Sequence, residues 1–104
     1  MKRAAFKMKL KAGYEEEYKK RHDEIWPELK EELFRAGIYD YSIFLDKKIL
    51  TLFAVQKLKD NNTVKKLPSK EIMKKWWDYM KDIMETNPDN SPFITSLEEV
   101  FHMD

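Results

Sequence analysis

The sequence predicts a single α+β domain of the ferredoxin-like type, with the element order β-α-β-β-α-β. Its 104 residues suit one domain with one modest core. Two stretches carry apolar residues at helical spacing, and four carry the alternation or β-rich composition of strands. Their order along the chain is that of the split β-α-β arrangement. Residues 1–104 are therefore expected to form one domain, without repeats or linkers.

The first third of the chain predicts a strand and then a long helix. Residues 4–10 alternate between apolar and mainly charged side chains, as in a half-buried strand. From residue 14 to 36 apolar side chains recur at three- and four-residue steps, which indicates an amphipathic helix. Pro27 falls inside this pattern and lacks a backbone donor, so it is expected to kink the helix or to split it in two. Gly37 is well placed to end it.

The middle of the chain predicts a β-hairpin. Residues 38–46 and 49–58 are rich in β-branched and aromatic side chains, and the polar turn at 46–48 separates them. A polar connection follows, with room for a short helix at residues 63–67.

The last third predicts a second helix and a final strand. Ser69 is expected to cap the helix, with Glu71 in its first turn and apolar residues continuing over 72–84. Residues 87–92 are dense in turn-forming types. Residues 93–103 are then expected to form the fourth strand.

Both faces of the predicted hairpin are apolar, which indicates a partner. Simple alternation gives its first strand one face of Tyr39, Tyr41, Ile43 and Leu45, and another with Ile38 and Phe44. Two helices can cover only one face of a four-stranded sheet, so the other face needs a second subunit or a ligand. We expect a homodimer packed sheet to sheet, which is a dimeric α+β barrel with a pocket in each subunit.

The composition excludes several classes of function. Lysine and arginine number 20 against 19 acidic residues, so the net charge of +1 gives no general attraction to nucleic acid or membranes. Without cysteine there is neither a disulfide nor a thiolate metal site. No stretch approaches the roughly 18 apolar residues of a membrane span, and lysines interrupt the apolar run that a signal peptide needs. We therefore expect a cytoplasmic protein that binds neither nucleic acid nor membranes.

His22 is the leading candidate for acid–base chemistry, because histidine alone titrates near neutral pH without perturbation. It lies one turn after Tyr18 and one turn before Trp26, on the helix face that is expected to meet the sheet. A buried histidine that only hydrogen-bonds a backbone carbonyl is the alternative. The Tyr18 hydroxyl and the adjacent Arg21 favour a small-molecule site with aromatic walls.

Further aromatic residues are compatible with either a site or a core. Trp76 and Trp77 point about 100° apart on a helix, so at most one can face the centre of the core. Tyr41 either fills the sheet face or reaches into a cavity between the sheet and a helix. The chain has no Gly-rich phosphate loop, no metal-ligand spacing and no nucleophile motif. This leaves a histidine that transfers protons without a metal or covalent intermediate, beside aromatic surfaces suited to a sugar.

Four segments in register resemble those of the L-rhamnose mutarotase family. They are YKKRHDEIWPEL (18–29), YDYSIFLD (39–46), WWDYM (76–80) and NPDNSP (87–92). The resemblance covers essentially the whole chain. It implies a dimeric ferredoxin-like α+β fold, and an isomerase that interconverts the α and β anomers of L-rhamnose without a cofactor.

The resemblance also implies roles for individual residues. His22 would be the proton donor in the reaction. The residues that would bind L-rhamnose or a related 6-deoxy sugar are Tyr18, Tyr41, Trp76 and Trp77.

Two other functions are compatible with this architecture. One is a haem-binding or quinone-oxidising monooxygenase, in which His22 would be an iron ligand or a proton shuttle. The other is a non-catalytic sugar-binding module, which would bind rhamnose without speeding the exchange of its anomers.

Overall fold

The computed structural model describes residues 2–104, which form an α+β domain with one four-stranded antiparallel sheet. The elements are β1 (Lys2–Lys9), α1 (Glu15–Asp23), α2 (Pro27–Arg35), β2 (Ile38–Asp46), β3 (Thr51–Leu58), a 3₁₀ helix (Val64–Ser69), α3 (Glu71–Met80) and β4 (Thr95–Leu97). The strand order is β2-β3-β1-β4, with every neighbouring pair antiparallel. The predicted α+β class is confirmed, and this order is consistent with a ferredoxin-like arrangement. Within residues 2–104 every helix is too short or too polar to span a lipid bilayer.

The predicted helix over 14–36 is split at Pro27, one of the two expected outcomes. Trp26 precedes α2 in an extended conformation, with φ −61° and ψ 130°. Pro27 is the first residue of α2, where its missing N–H leaves no helical bond unmade. Gly37 has φ 96°, and a Cβ there would come within 2.9 Å of the Asn62 side chain, so glycine ends this helix as predicted.

A β-bulge in β2 changes the faces that simple alternation predicts. Tyr39 pairs with Lys57 and Ser42 with Val55, so two residues of β2 lie opposite Gln56 alone. Ile38 therefore shares the inner, helix-covered face with Tyr41, Ile43 and Leu45, and it is 6% exposed. By the same register Tyr39 starts from the outer face, opposite Lys57, although it is also among the residues that line the cavity between sheet and helices. The predicted placement of Ile38 and Tyr39 was wrong, because alternation cannot foresee an extra residue.

The boundaries around β1 and the hairpin differ slightly from prediction. β1 covers 2–9 and not 4–10, because Leu10 leaves the strand to form an isolated bridge with Met84. β3 begins at Thr51 and not at 49, because Leu50 takes a left-handed φ of 52° at the end of the turn.

The second long helix begins and ends differently from prediction. Ser69 was wrong as its cap: it is the last residue of the 3₁₀ helix, and its hydroxyl donates to the Lys66 carbonyl. Lys70 precedes α3 in an extended conformation. The helix ends at Met80 and not at 84, because the chain turns there and the Ile83 carbonyl accepts a bond from the Lys11 N–H.

The final strand is much shorter than the predicted 93–103. β4 pairs with β1 only from Ala5 to Lys7, and residues 98–104 run on outside the sheet. Their apolar side chains are exposed, with Phe101 at 77% and Val100 at 89%.

The core lies between the helices and the inner face of the sheet. Its centre is formed by fully buried side chains, namely Leu29, Leu52, Ala54 and Ile83. The outer face has no such cover, and Phe44 there is 64% exposed.

Candidate active site

One large cavity opens between the inner face of the sheet and the helices. Its volume is about 1670 Å³, and all five predicted site residues line it: Tyr18, His22, Tyr41, Trp76 and Trp77. Small-molecule sites typically occupy about 300–1,000 Å³, so a monosaccharide would fill only part of this space. The structure thus brings together residues from α1, β2 and α3.

His22 is half-buried, and its Nδ1 lies 3.0 Å from the Tyr18 carbonyl oxygen. Because a carbonyl oxygen can only accept, Nδ1 carries the hydrogen and donates it. Nε2 is left as the nitrogen available to a ligand. Burial lowers the pKa of His22 from its usual 6.5, against the opposing effects of the Tyr18 carbonyl and of Asp23. At neutral pH the imidazole is therefore uncharged, with an acceptor lone pair on Nε2.

Aromatic rings hold the imidazole on two sides. The Tyr18 ring stacks on it with a centroid separation of 4.2 Å and an interplanar angle of 25°. Trp76 meets it edge-on at 5.4 Å. The carbonyl bond expected of a structural histidine and the cavity position expected of a catalytic one thus occur together.

Two phenols share the cavity with the imidazole. Burial raises the pKa of Tyr18 far above its usual value of 10, and the neighbouring Tyr41 raises it further. Although Tyr41 is 38% exposed, desolvation raises its pKa to about 12, while an interaction with the Gln56 side chain acts in the opposite direction. Both hydroxyls therefore keep their protons at neutral pH and can donate hydrogen bonds to a ligand.

The adjacent tryptophans separate as the helical geometry requires. Trp76 is 6% exposed and belongs to the core cluster, whereas Trp77 is half-buried. Trp26 supports Trp76 from behind, with an edge-on contact at 5.0 Å, and it stacks on Tyr79 at 5.4 Å. Trp26 is not among the residues that line the cavity, so its role is structural.

Arg21 does not converge on the cavity as its position beside His22 suggested. Its guanidinium donates to the Tyr79 carbonyl at 2.8 Å, to Asp82 at 2.9 and 3.2 Å, and to Glu17 at 2.8 Å. It also lies 4.4 Å above the Tyr79 ring. Adjacent helical residues point about 100° apart, so Arg21 joins α1 to the end of α3 while His22 faces the cavity.

Sequence reasoning missed Gln56, a polar side chain that lines the cavity and is 8% exposed. The signal was available, because Gln56 follows Leu52 and Ala54 on the inner face of β3 and interrupts their apolar pattern.

The turn at residues 87–92 rims the cavity. The Asn87 side chain donates to the Ser91 hydroxyl at 3.0 Å and to the Pro92 carbonyl at 3.3 Å, which stiffens this loop. Among residues 2–104 no cluster of three or more His, Asp or Glu side chains is placed to hold a metal ion.

The cavity of this antiparallel α+β domain is lined by an uncharged imidazole, two protonated phenols and two indoles. This combination is typical of enzymes that move protons on a small polar molecule by general acid–base catalysis.

Comparisons with known proteins identify the family. The model of the L-rhamnose mutarotase family matches residues 3–103. Proteins named L-rhamnose mutarotase from Bacteroides thetaiotaomicron and Phocaeicola vulgatus are 60% and 59% identical over 104 residues, which is 100% of each chain. A crystal structure of L-rhamnose mutarotase from Formosa agariphila superimposes with a TM-score of 0.93 at 53% identity, covering 100% of both chains.

The chain belongs to the L-rhamnose mutarotase family, and it is an isomerase. The family prediction from the four segments is confirmed. These relatives give no support to a haem-binding or quinone-oxidising monooxygenase.

Proposed function

We propose that this isomerase interconverts the α and β anomers of L-rhamnose in the cavity between sheet and helices, with His22 as its catalytic residue. One observation carries the assignment. The bond from Nδ1 to the Tyr18 carbonyl leaves Nε2 as an uncharged proton acceptor in an aromatic-walled cavity. A related 6-deoxy sugar has the same reacting atoms and is an alternative substrate.

Ring opening requires O1 to lose a proton and O5 to gain one as the C1–O5 bond breaks. In the proposed mechanism, Nε2 of the uncharged His22 accepts the O1 proton on ring opening, and His22 acts as the proton donor, the role that the resemblance implies, on ring closure. The Tyr41 hydroxyl, which keeps its proton at neutral pH and lines the same cavity, supplies the O5 proton. The aldehyde end then rotates about C1–C2. On closure O5 attacks the other face of C1, the imidazolium returns its proton to O1, and Tyr41 recovers its own.

The remaining residues bind and orient the sugar in this proposal. Tyr18 is fixed against the imidazole and donates its hydroxyl to a sugar oxygen. The indoles of Trp76 and Trp77 lie along the cavity wall and suit the C–H faces of the ring or the C6 methyl group.

A homodimer packed through the outer face of the sheet is part of the proposal. Support comes from Phe44, Val55 and Leu97, which are exposed at 64%, 40% and 39% on that face. A single chain leaves these apolar side chains in water, and a second sheet would cover them. We also propose a cytoplasmic location, in keeping with an enzyme of sugar metabolism.

Saturation-transfer NMR on the anomeric protons of L-rhamnose tests the activity. The protein is expected to increase the transfer of saturation between the α and β signals above that of the buffer alone. Exchange at the solvent rate, together with quenching of tryptophan fluorescence by rhamnose, would instead identify a sugar-binding module. Haem titration tests the monooxygenase alternative, which predicts a Soret shift that depends on His22.

A further inference from the structure

We propose that Arg21 is a positioning residue for His22, because its guanidinium seats α1 against the end of α3 and so fixes where the imidazole stands in the cavity. This inference rests on the proposed function, since it explains how His22 is held within reach of the sugar oxygens. Arg21 is not among the residues that line the cavity. It therefore acts through the placement of a helix and not through contact with the sugar.

Two of the contacts that hold the imidazole lie within its own helix. Nδ1 bonds the Tyr18 carbonyl at 3.0 Å, and the Tyr18 ring stacks on the imidazole at 4.2 Å. These contacts fix the imidazole relative to α1, and they would move with α1 if that helix shifted. Trp76 and Trp77 line the same cavity from α3. The distance from Nε2 to a sugar that lies against these indoles therefore depends on how α1 is seated on α3.

Arg21 joins the two helices through all three nitrogens of its guanidinium. Two of them donate to the two carboxylate oxygens of Asp82, at 2.9 and 3.2 Å, and one of these also donates to the Tyr79 carbonyl at 2.8 Å. The third, Nε, donates to Glu17 of α1 itself at 2.8 Å. Paired bonds between a planar guanidinium and a carboxylate fix direction as well as distance. The side chain is thus held in α1 by Glu17 and just beyond α3 by Asp82.

The bond to Tyr79 satisfies an end of α3 that the helix does not satisfy itself. The Tyr79 carbonyl lies in the last turn, where carbonyl groups have no partner within the helix. A helix C-terminus carries partial negative charge, which a nearby cation stabilises. The last turn of α3 has no basic residue of its own, and Arg21 brings a cation to it from α1. The Arg21 side chain is 11% exposed, so its end of the joint is shielded from competing water.

Aromatic rings form a second connection between Arg21 and the imidazole. The guanidinium lies 4.4 Å above the Tyr79 ring, and that ring is tilted against Trp76 at 5.7 Å. Trp76 in turn meets the imidazole of His22 edge-on at 5.4 Å. Arg21 therefore holds both the carbonyl and the ring of Tyr79. Its loss should move the imidazole relative to Trp76 while leaving it stacked on Tyr18.

A split between kcat and KM for anomer exchange tests the proposal with wild type, Arg21→Met and Arg21→Lys. Methionine keeps part of the apolar stem of arginine and removes its donors. Misplacing a catalytic group by about 1 Å can cost roughly 100-fold in rate, so we expect Arg21→Met to lower kcat about 10–100-fold. KM should change little, because Tyr41 and Trp77 still bind the sugar from β2 and α3. Arg21→Lys keeps the charge without the planar fork, so it should restore part of kcat.

Nuclear Overhauser effects from the imidazole protons give a readout that is independent of activity. The effect between His22 and the Trp76 indole crosses from α1 to α3, whereas the effect between His22 and the Tyr18 ring lies within α1. We expect Arg21→Met to weaken the first and to preserve the second, because α1 shifts as a unit. The second effect is therefore an internal control for the integrity of α1.

Arg35→Met is the matched control variant. Arg35 is an exposed residue of α2 that pairs with Glu31 and does not line the cavity. Its replacement should leave kcat, KM and both Overhauser effects unchanged. If Arg21→Met does not fold, Asp82→Asn weakens the same joint from its other side and is expected to show the same pattern to a smaller degree.

Three results would overturn the proposal and leave Arg21 a residue that only stabilises the fold. They are an unchanged kcat in folded Arg21→Met, an unchanged Overhauser effect between His22 and Trp76, and the joint loss of both effects. Failure of the proposed function would look different. Wild type itself would not speed anomer exchange, while the two Overhauser effects would still decide whether Arg21 positions His22.

Discussion

Replacing His22 by alanine perturbs the proposed chemistry most directly. A positioned general acid or base typically contributes about 10²–10⁴-fold to a rate, so His22→Ala should lose that much of the acceleration of anomer exchange. Removing the Nδ1 bond to the Tyr18 carbonyl and the stack on the Tyr18 ring should lower the free energy of unfolding by about 1–3 kcal/mol. Small domains are usually stable by about 5–15 kcal/mol, so the variant should remain folded.

Saturation transfer between the anomeric protons of L-rhamnose measures the rate, and urea unfolding measures the stability. His102→Ala is the matched control, because His102 is exposed and its side chain bonds Asp104 near the end of the chain. It should keep the full rate. A folded His22→Ala variant with wild-type exchange would refute the reasoning, and so would an equal loss in His102→Ala.

Three further predictions concern pH, the indoles and the joint between α1 and α3. Because burial lowers the pKa of His22, the loss of kcat/KM on acidification should occur at a pH below 6.5. The free energy of unfolding should rise with pH between that lowered pKa and about 6.5. Urea unfolding measures this rise, which should vanish in His22→Ala. Trp77→Ala should raise KM with little loss of stability, whereas Trp76→Ala should cost about 3–5 kcal/mol in chemical unfolding, because Trp76 is in the core. In the same assay Arg21→Met should lower the free energy of unfolding by about 1–3 kcal/mol, because its hydrogen bonds are lost. The matched change at the exposed Arg35, Arg35→Met, should lower it by under about 0.5 kcal/mol. Equal effects of the two tryptophan variants, or of the two arginine variants, would contradict the structure.

Periodicity predicted the elements of the fold but not their irregularities. Pro27 marked the split of the long helix, because a residue without an N–H is tolerated in the first turn but not in the middle of a helix. The bulge at Asp40 has only a weak local signature, because a positive φ is uncommon for non-glycine residues even though aspartate adopts it more often than most. The short fourth strand was also out of reach. Pairing depends on which partner edge is available, and β1 offers β4 only the stretch from Ala5 to Lys7.

Residue type and helical spacing predicted the His22 and Tyr18 part of the candidate site, and the family resemblance added Tyr41, Trp76 and Trp77. Tyr18 and His22 are four residues apart and therefore stack on one helix face, as the spacing required. The tautomer of His22 could not be predicted, because it depends on a bond to a backbone carbonyl. Gln56 could have been found as the polar interruption of an apolar strand face.

A crystal structure with bound L-rhamnose tests the central claim most directly, through the distances from His22 Nε2 to the sugar oxygens. We predict that Nε2 lies about 2.6–3.2 Å from O1 or O5, or reaches one of them through a single water, while Nδ1 stays bonded to the Tyr18 carbonyl. A sugar bound elsewhere, or an imidazole turned away from both oxygens, would contradict the assignment of His22 as the catalytic residue.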